Sequence, residues 1–417
     1  MIGAGVLVNA YLAIVGRQLS EAQYSHFGAF WSLSLVVAFG AFLPVEQELG
    51  RLLQTAADPR GALRAASRVS AGIAFVGLIT VVVSLVPLSI ALGRDAGLVV
   101  AIAALVVVSA VQFLVRGMLI GLNRIPVHAA VIFLDAALRV AGSFMVVNFI
   151  PSATAADFAW ALVAAISLAH LPMLPLVMRE SRRGNTSVTP VATAQLRKAV
   201  LPLLVGTLCA QVLLNGAPIL VAAVASPGEQ QAAGRFLAAF TLARIPLFIA
   251  VPLQSAILPS LTRQVESGHP AAIRSFLVRA AIILAVAGSI VVFISLIAGP
   301  SILRLVFGDR YEVPGRDFAL MVAGSVTYLG LMLTTQALVA SGLHGRVAQT
   351  WLTGTFAAVA IFASVPGLFL RAELAFLVGS AAAWVLGTVL LVQVRAAAIA
   401  PDVTASHGCR RRGRASL

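Results

Sequence analysis

The chain has 417 residues, of which 60% are apolar and only 11% are charged, whereas roughly 25% of the residues in an ordinary soluble domain are charged. Its mean hydropathy of +1.00 and its recurring long apolar runs exclude a soluble enzyme and indicate an all-α polytopic membrane protein. The excess of 29 basic over 15 acidic residues is spread over many short loops, which favours a positive-inside charge bias over a nucleic-acid partner.

At about 20 apolar residues per bilayer crossing, the sequence predicts about twelve transmembrane helices. They lie near residues 1–16, 27–46, 69–92, 97–116, 126–150, 156–178, 198–225, 235–261, 276–299, 317–341, 347–370 and 373–394. The remaining loops are short, so no separate soluble domain is available for catalysis and we expect no enzymatic activity. The first span begins at Met1 without a charged segment, which argues against a cleavable signal peptide.

The distribution of Lys and Arg predicts the orientation of these spans. Most basic residues fall on the side that carries the 47–68 loop, the 179–198 loop and the C-terminal tail. Because positively charged loops remain in the cytoplasm, we expect both termini on the cytoplasmic side of the plasma (inner) membrane.

An internal repeat is visible when residues 6–30 are aligned with residues 212–236. The alignment pairs Asn9 with Asn215 and Gly28 with Gly234, and farther along the chain Gly93 pairs with Gly308 and Gly121 with Gly342. The repeat predicts two pseudo-symmetric six-helix lobes, 1–178 and 198–397, around a central cavity. A cytoplasmic linker, 179–197, would join the lobes, and a basic cytoplasmic tail, 398–417, would follow them.

Ionisable and amide side chains inside the spans are candidates for a site, because they are costly in a bilayer and usually face a cavity or a partner. Arg244 falls near the middle of the eighth span without an acidic neighbour, so it either lines the cavity or pairs across helices. Asp135 and Arg139 in the fifth span stand one helical turn apart and can neutralise each other. Gln211 and Asn215 in the seventh span have the same spacing, which suits sugar hydroxyls as well as interhelical hydrogen bonds.

The end of the second span carries Glu46, Glu48 and Arg51, either as a charged helix end at the lipid headgroups or as the mouth of a cavity. Prolines in the seventh and eighth spans remove backbone hydrogen bonds and favour bent, mobile helices. These hinge candidates are Pro218, Pro246 and Pro252.

Signatures of cofactor chemistry are absent from the sequence. It contains no P-loop and no HExxH motif, and its six histidines are scattered, so they are interpreted as structural or exposed. Cys209 and Cys409 are too far apart along the chain to indicate a zinc site or a disulfide framework. We therefore expect no cofactor and no metal.

Two segments resemble a known family. Residues 16–28 (GRQLSEAQYSHFG) resemble the R-x-L-x-x-x-x-Y-G-x-F connection of polysaccharide flippases in the multidrug/oligosaccharidyl-lipid/polysaccharide (MOP) exporter superfamily. The stretch from Arg244 (RIPLF) to Leu261 (LPSL) is similar to the corresponding helix of bacterial members. The twelve spans, the cytoplasmic termini and the repeat extend the resemblance over nearly the whole chain.

The resemblance implies a MATE-like MOP flippase fold that moves undecaprenyl-pyrophosphate-linked oligosaccharide from the cytoplasmic to the outer leaflet by alternating access, for cell-surface polysaccharide biosynthesis. The lipid-linked glycan and the bilayer would be its partners, together with a polysaccharide polymerase and glycosyltransferases. Arginine forks pair well with phosphate oxygens. By position in the family, the candidates for binding substrate are Arg17, Arg51 and Arg244; Arg139, Asn215 and Gln211 extend this set.

Other functions remain open at this point. A cation-coupled multidrug or small-molecule antiporter of the same superfamily would use Glu46 or Asp135 as the titrating group. A membrane-embedded glycosyltransferase is disfavoured by the short outer loops. A major-facilitator transporter is disfavoured because the 47–68 segment lacks that family's characteristic loop. The sequence leaves the glycan and the coupling ion undetermined.

Overall fold

The computed structural model describes residues 2–55, 59–181, 193–247 and 270–399, and every structural statement below concerns these ranges. They consist of helices joined by short turns and loops and contain no β-strand. The N-terminal half comprises helices α1 Ile2–Gln18, α2 Glu21–Leu35, α3 Leu43–Thr55, α4 Pro59–Val83, α5 Leu85–Ala91, α6 Ala96–Gly121, α7 Ile125–Phe149, α8 Ala155–His170 and α9 Leu174–Ser181. The C-terminal half comprises α10 Thr193–Val224, α11 Gln230–Ala243, α12 Pro270–Phe307, α13 Gly315–Ala340, α14 His344–Ser364 and α15 Leu368–Ile399.

Ten helical segments in the described ranges are long and apolar enough to cross a membrane. They are Glu21–Gln54, Arg60–Val83, Ala96–Gly121, Ile125–Phe149, Ala155–Leu176, Leu196–Val224, Val278–Phe307, Gly315–Ala340, Gly345–Ser364 and Leu368–Gln393. The prediction of a multi-pass helical membrane protein is therefore confirmed, with twelve as an approximate count. The other two predicted spans correspond to α1, which has 17 residues, and to α11, which ends at Ala243.

The second membrane segment contains a π-helical stretch between α2 and α3, Val36–Phe42. Such wide turns leave a carbonyl without its usual helical partner and occur often at functional positions. Here the carbonyl oxygen of Gly40 accepts a hydrogen bond from Thr207 Oγ1 of α10 at 2.7 Å. The π-helical stretch thus joins the N-terminal half to the C-terminal half beside the central cavity.

The repeat predicted from the sequence is visible in how the halves pack and turn. Gly28 of α2 lies against Leu237 of α11, and Gly234 of α11 lies against the backbone of Glu21, so the aligned glycines share one close helix contact. A side chain at either position would collide with its neighbour.

Turns at equivalent helix ends also match, with one shift from the predicted alignment. Gly93 and Gly308 follow the ends of α5 and α12, and both have positive φ, 67° and 104°. Gly342 (φ 72°) is matched instead by Asn123 (φ 56°), and not by Gly121 as the sequence alignment predicted. The amides of Asn123 and Gly342 both bond the carbonyl three residues earlier, which fixes this equivalence. Matches between apolar residues occur by chance too often to detect a two-residue shift in the alignment of the halves.

The halves also meet at the end of the molecule that is predicted to face outward. Tyr24 of α2 packs against Phe307 and Tyr311, with ring centroids 5.7 Å from each. The Tyr311 hydroxyl donates a hydrogen bond to the Gly16 carbonyl at 2.7 Å. Burial raises the pKa of the Tyr311 phenol, so it stays protonated as a donor.

Candidate functional site

A central cavity of about 370 Å³ lies between the two halves. Its polar lining comes from helices of both halves and consists of Asn9, Gln112, Arg116, Asp135, Arg139, His170, Gln211, Thr241, Arg244 and Tyr328. A second cavity of about 590 Å³ continues from it past Arg51 and Lys198, and Phe39, Gln211 and Tyr328 line both cavities. The path therefore leads from the centre of the protein toward the side predicted to be cytoplasmic.

Among the described basic residues of the C-terminal half, Arg244 is the most buried, with 8% of its surface exposed. Its Nη1 donates to Asn215 Oδ1 at 2.6 Å, and its guanidinium lies 4.8 Å from the centre of the Phe240 ring. None of the described carboxylates lies within ion-pair distance of it. Asn215 in turn donates to Gln211 Oε1 at 2.8 Å, so two predicted candidates form one chain with Arg244.

Two prolines explain how Arg244 reaches this position. The helix α11 ends at Ala243, and Arg244 begins a turn that contains Pro246, because proline lacks the amide needed to continue the helix. Pro218 lies inside α10 and leaves the Leu214 carbonyl without its helical donor. Nη1 of Arg244 lies 3.5 Å from that oxygen. The predicted hinge Pro218 thus supplies an acceptor for Arg244, while Pro252 lies outside the described residues.

The position of Arg244 differs from the prediction in one respect. The sequence predicted a continuous span over 235–261 with Arg244 in its interior, but the described helix ends just before Arg244. A residue at a helix end is freer to direct its side chain into a cavity than one in a helix interior, where the side chain follows the helix surface.

Asp135 and Arg139 of α7 form the predicted pair on the N-terminal wall of the cavity. Their Oδ2 and Nη2 atoms are 2.5 Å apart, and Nε of Arg139 donates to Oδ1 at 3.0 Å. The Arg139 guanidinium also lies 5.8 Å from the Trp31 ring. Each charge is compensated by the other, so the pair is polar but contributes no net charge to the cavity.

Glu46 forms a second compensated pair in the N-terminal half, with Arg116 of α6. Glu46 Oε2 is 3.1 Å from Arg116 Nε, and His128 Nε2 is 3.7 Å from Oε1. Gly117 allows α3 and α6 to approach closely enough for this pair, because a Cβ there would lie 2.9 Å from the Glu46 carbonyl oxygen. Glu46 is buried beside the cavity and does not line it.

The remaining predicted arginines lie near the two ends of the molecule. Arg51 lines the second cavity and is bound to Glu48 at 2.5 Å, with 60% of its side chain exposed. Arg17 does not line the central cavity, and its role as a substrate ligand stays a prediction. Its Nε and Nη2 donate to the carbonyls of Val306 and Leu305 at 2.9 and 2.6 Å.

Arg17 belongs to a reciprocal contact between helix ends. Arg17 at the end of α1 binds the last carbonyls of α12, while Arg310, after α12, donates to the Gly16, Arg17 and Leu19 carbonyls at 3.2, 2.6 and 2.8 Å. Terminal helix carbonyls lack helical donors and attract cations. This contact closes the predicted outer end of the interface between the halves.

Six of the ten polar cavity residues were not recognised as site candidates in the sequence: Asn9, Gln112, Arg116, His170, Thr241 and Tyr328. Arg116 was assigned to a loop, His170 was interpreted as structural or exposed, and Gln112 was not singled out. Gln112 and Arg116 stand one helical turn apart in α6, a spacing that places them on one face and could have identified them. No local signal in the sequence pointed His170 toward the cavity. Within the described residues, no group of His, Cys, Asp or Glu is arranged to hold a metal ion.

Comparisons with known proteins give the fold and leave the function open. No family model matches the chain. An uncharacterized protein of Mycobacterium tuberculosis is 30% identical over 239 residues, 57% of this chain and 53% of that protein. A second uncharacterized protein of the same organism is 27% identical over 270 residues, 64% of this chain and 60% of its own length. The aligned region thus spans little more than half the length of these curated relatives.

Solved structures of MOP-superfamily transporters match nearly the whole chain. The inward-facing conformation of a multidrug resistance MATE family transporter has a TM-score of 0.71 at 13% identity, covering 94% of both chains. An outward-facing conformation of such a transporter has a TM-score of 0.64 at 14% identity, covering 95% of this chain and 93% of that one. A MOP-superfamily transporter from Pyrococcus furiosus, described by a reverse polarity of its binding pocket, has a TM-score of 0.66 at 15% identity, with coverage of 95% and 93%. The chain therefore has the MATE-type fold of this superfamily.

Proposed function

We propose that this chain, which has the fold of MOP-superfamily transporters, flips a polyprenyl-pyrophosphate-linked oligosaccharide across the plasma (inner) membrane for surface polysaccharide synthesis. In this proposal both termini are cytoplasmic, and the lobes 1–178 and 198–397 move against each other about the linker 179–197. Glycosyltransferases would act before the transport step, and a polysaccharide polymerase would act after it.

The observation that carries the proposal is that Arg244 is buried without a described carboxylate partner. Arg116 and Arg139 are each matched by a carboxylate, from Glu46 and Asp135. Among the described residues, Arg244 contacts the Asn215 amide oxygen, the Leu214 carbonyl and the Phe240 ring, and no carboxylate. A buried guanidinium without a counter-ion favours binding of an anion, and its planar fork fits phosphate oxygens. The net positive charge of the described cavity wall is therefore the charge of Arg244.

The shape of the cavity supports transport by alternating access. It continues toward the predicted cytoplasmic side, where Arg51 and Lys198 lie at its wall. At the opposite end the contacts of Arg17 and Arg310 with helix carbonyls close the interface. A pyrophosphate headgroup could enter from the cytoplasmic leaflet, bind Arg244, and leave after the outer contact opens.

A second candidate is a cation-coupled antiporter for small molecules, and its supporting observation is the mixed lining of the same cavity. Apolar side chains such as Leu12, Phe39 and Met332 line it together with the Asp135 carboxylate, and multidrug transporters share the fold. In that case Asp135→Asn should abolish resistance to cationic drugs. In the flippase it should keep or strengthen binding of the anionic headgroup, because Arg139 loses its counter-ion.

The test measures translocation in proteoliposomes of a fluorescent polyprenyl-pyrophosphate-linked oligosaccharide, using an impermeant quencher to read the outer leaflet. Arg244→Ala should lower the initial rate at least tenfold, because a charged hydrogen bond is worth about 1.5–3 kcal/mol. Arg244→Lys should recover part of the rate, since it keeps the charge and loses the fork.

Arg304→Ala provides the matched control, because Arg304 is an exposed arginine at the opposite end of the interface. It should keep the wild-type rate. Translocation that survives Arg244→Ala at the wild-type rate would contradict the proposed role of Arg244, and export of cationic drugs by the same proteoliposomes would favour the antiporter.

A further inference from the structure

Apart from Arg116 Nε, which is ion-paired with Glu46, two buried polar atoms of residues that line the N-terminal cavity wall have no hydrogen-bond partner among the described residues. They are Oε1 of Gln112, on α6, and Nε2 of His170, at the end of α8. The two residues are only 4% and 1% exposed. A buried polar atom without a partner is costly, so both positions favour a ligand that supplies the missing hydrogen bonds.

The structure determines which kind of hydrogen bond His170 can make. Its Nδ1 lies 2.8 Å from the carbonyl oxygen of Ile166. A carbonyl oxygen only accepts, so Nδ1 carries the hydrogen, and when the ring is neutral Nε2 offers its lone pair. His170 is therefore an acceptor at the cavity, as is Oε1 of Gln112.

Asp135 adds further acceptor capacity at the same wall. Its two oxygens each bind Arg139, and a carboxylate oxygen can accept more than one hydrogen bond. Arg116 and Arg139 line the same cavity as Asp135 and His170. Acceptors from α6, α7 and α8 therefore lie within one small region.

The chemistry of this wall selects its ligand. Three acceptors require a ligand with several donors, which could be a cation or a polyhydroxylated ring. Because Arg116 and Arg139 neutralise the Glu46 and Asp135 carboxylates, this region has no net negative charge to hold a cation, whereas hydroxyl groups are neutral donors. The same guanidiniums can donate to ring and hydroxyl oxygens, so a sugar satisfies both kinds of group.

We propose that Gln112, Asp135 and His170 form a sugar subsite that binds the hydroxyl groups of the sugar attached to the pyrophosphate. This inference rests on the proposed function, in which Arg244 on the facing half binds the pyrophosphate. It divides recognition between the halves: the C-terminal half binds the anionic group common to all such lipids, and the N-terminal half distinguishes the glycan.

The experiment compares two probes with the purified full chain in detergent micelles: bare polyprenyl pyrophosphate and the same lipid carrying one hexose. The wild-type protein should bind the hexose-bearing lipid about tenfold more tightly. Gln112→Leu, similar in size but without the amide, should lower affinity for that lipid about threefold to tenfold, as expected for one hydrogen bond. Affinity for the bare lipid should change less than twofold.

His170→Phe is the second variant, which keeps a ring and removes the acceptor, and it should have the same selective effect. Gln349→Leu is the control, because Gln349 is an exposed glutamine on α14 away from the cavity. It should leave both affinities unchanged.

The outcomes separate the two proposals. Equal wild-type affinity for both lipids, or equal weakening of both in folded Gln112→Leu and His170→Phe proteins, would overturn the sugar subsite and leave the flippase proposal intact. Binding of bare lipid that does not change in Arg244→Ala would contradict the proposed function. A hexose-dependent loss confined to the Gln112 and His170 variants would support the subsite.

Discussion

The two halves of the protein stabilise their buried charges in different ways. In the N-terminal half, Glu46 is paired with Arg116 and Asp135 with Arg139. In the C-terminal half, the described hydrogen-bond partners of Arg244 are uncharged oxygens. Glu373 of α15, 1% exposed, has no hydrogen-bond partner for either oxygen among the described residues.

This difference indicates which charges hold the structure and which are available for ligands. A compensated pair joins two helices, or two turns of one helix, and leaves little field for a substrate. A buried guanidinium without a carboxylate partner keeps its electrostatic field at the cavity, and its remaining N–H groups are available to a ligand. The repeat therefore produced two similar halves whose buried charges differ.

The largest effect should come from breaking a compensated pair. Glu46→Gln leaves Arg116 buried without its counter-ion and should lower the free energy of unfolding by about 3 kcal/mol. Unfolding in detergent, followed by circular dichroism or tryptophan fluorescence, measures it. The double variant Glu46→Gln with Arg116→Gln should recover much of the loss.

Glu48→Gln is the matched control for that experiment, because its partner Arg51 is largely exposed and stays hydrated without it. We expect a loss below about 1 kcal/mol. Equal losses for the Glu46 and Glu48 variants would show that the Glu46–Arg116 pair is no more structural than a surface pair.

A second prediction introduces into the C-terminal half an ion pair of the kind that the N-terminal half already contains. Asn215→Asp places a carboxylate 2.6 Å from Arg244, at the position of the present amide oxygen. Affinity for polyprenyl pyrophosphate should fall about 30-fold, or about 2 kcal/mol, because the arginine is neutralised before the ligand arrives. Titration calorimetry of the folded variant measures this, and unchanged affinity would exclude Arg244 as the pyrophosphate ligand.

A third prediction concerns the contact that joins the halves at the predicted outer end. Arg310→Ala removes three hydrogen bonds to carbonyls at the C-terminal end of α1 and should shift the population toward an outward-open state by about 1–2 kcal/mol. Spin labels at Ser152→Cys and Gly228→Cys report the outer separation by pulsed electron resonance, after replacement of Cys209 and Cys409. Arg304→Ala is the control. Identical distance distributions for the Arg310 and Arg304 variants would contradict the predicted role of Arg310 in keeping the outer end closed.

The smallest effect is expected at Glu373. Because its buried carboxyl has no described partner, Glu373→Gln removes a burial penalty without breaking a hydrogen bond. The free energy of unfolding should stay within about 1 kcal/mol of wild type or rise. A loss larger than that, in the same unfolding assay, would reveal a partner for Glu373 and weaken the contrast between the halves.

Much of the fold could be predicted from the sequence. Long apolar runs report membrane helices directly, because each residue in such a helix must be tolerable to lipid or to a neighbouring helix. The Asp135–Arg139 pair and the Gln211–Asn215 spacing were also predicted, because side chains one turn apart on a helix meet whatever surrounds them. The equivalence of Gly28 and Gly234 was visible because close helix contact admits only glycine there.

The contacts between distant segments could not be predicted in the same way. Arg17 and Arg244 were both predicted to bind substrate. Arg17 binds helix carbonyls at one end of the molecule, whereas Arg244 lines the central cavity. Arg116 looked like a loop residue until Glu46, 70 positions away, was placed beside it. These outcomes depend on which helices pack together, and hydropathy does not encode that.

The sequence by itself determined that the protein is helical, crosses the membrane many times and contains two related halves. These properties follow from local composition and spacing. The tertiary structure decided which of the described cavity arginines has no carboxylate partner and which buried acceptors belong to the cavity wall. The physical reason is that a charge or a lone pair is compensated by neighbours in space, and most of those neighbours are far away along the chain.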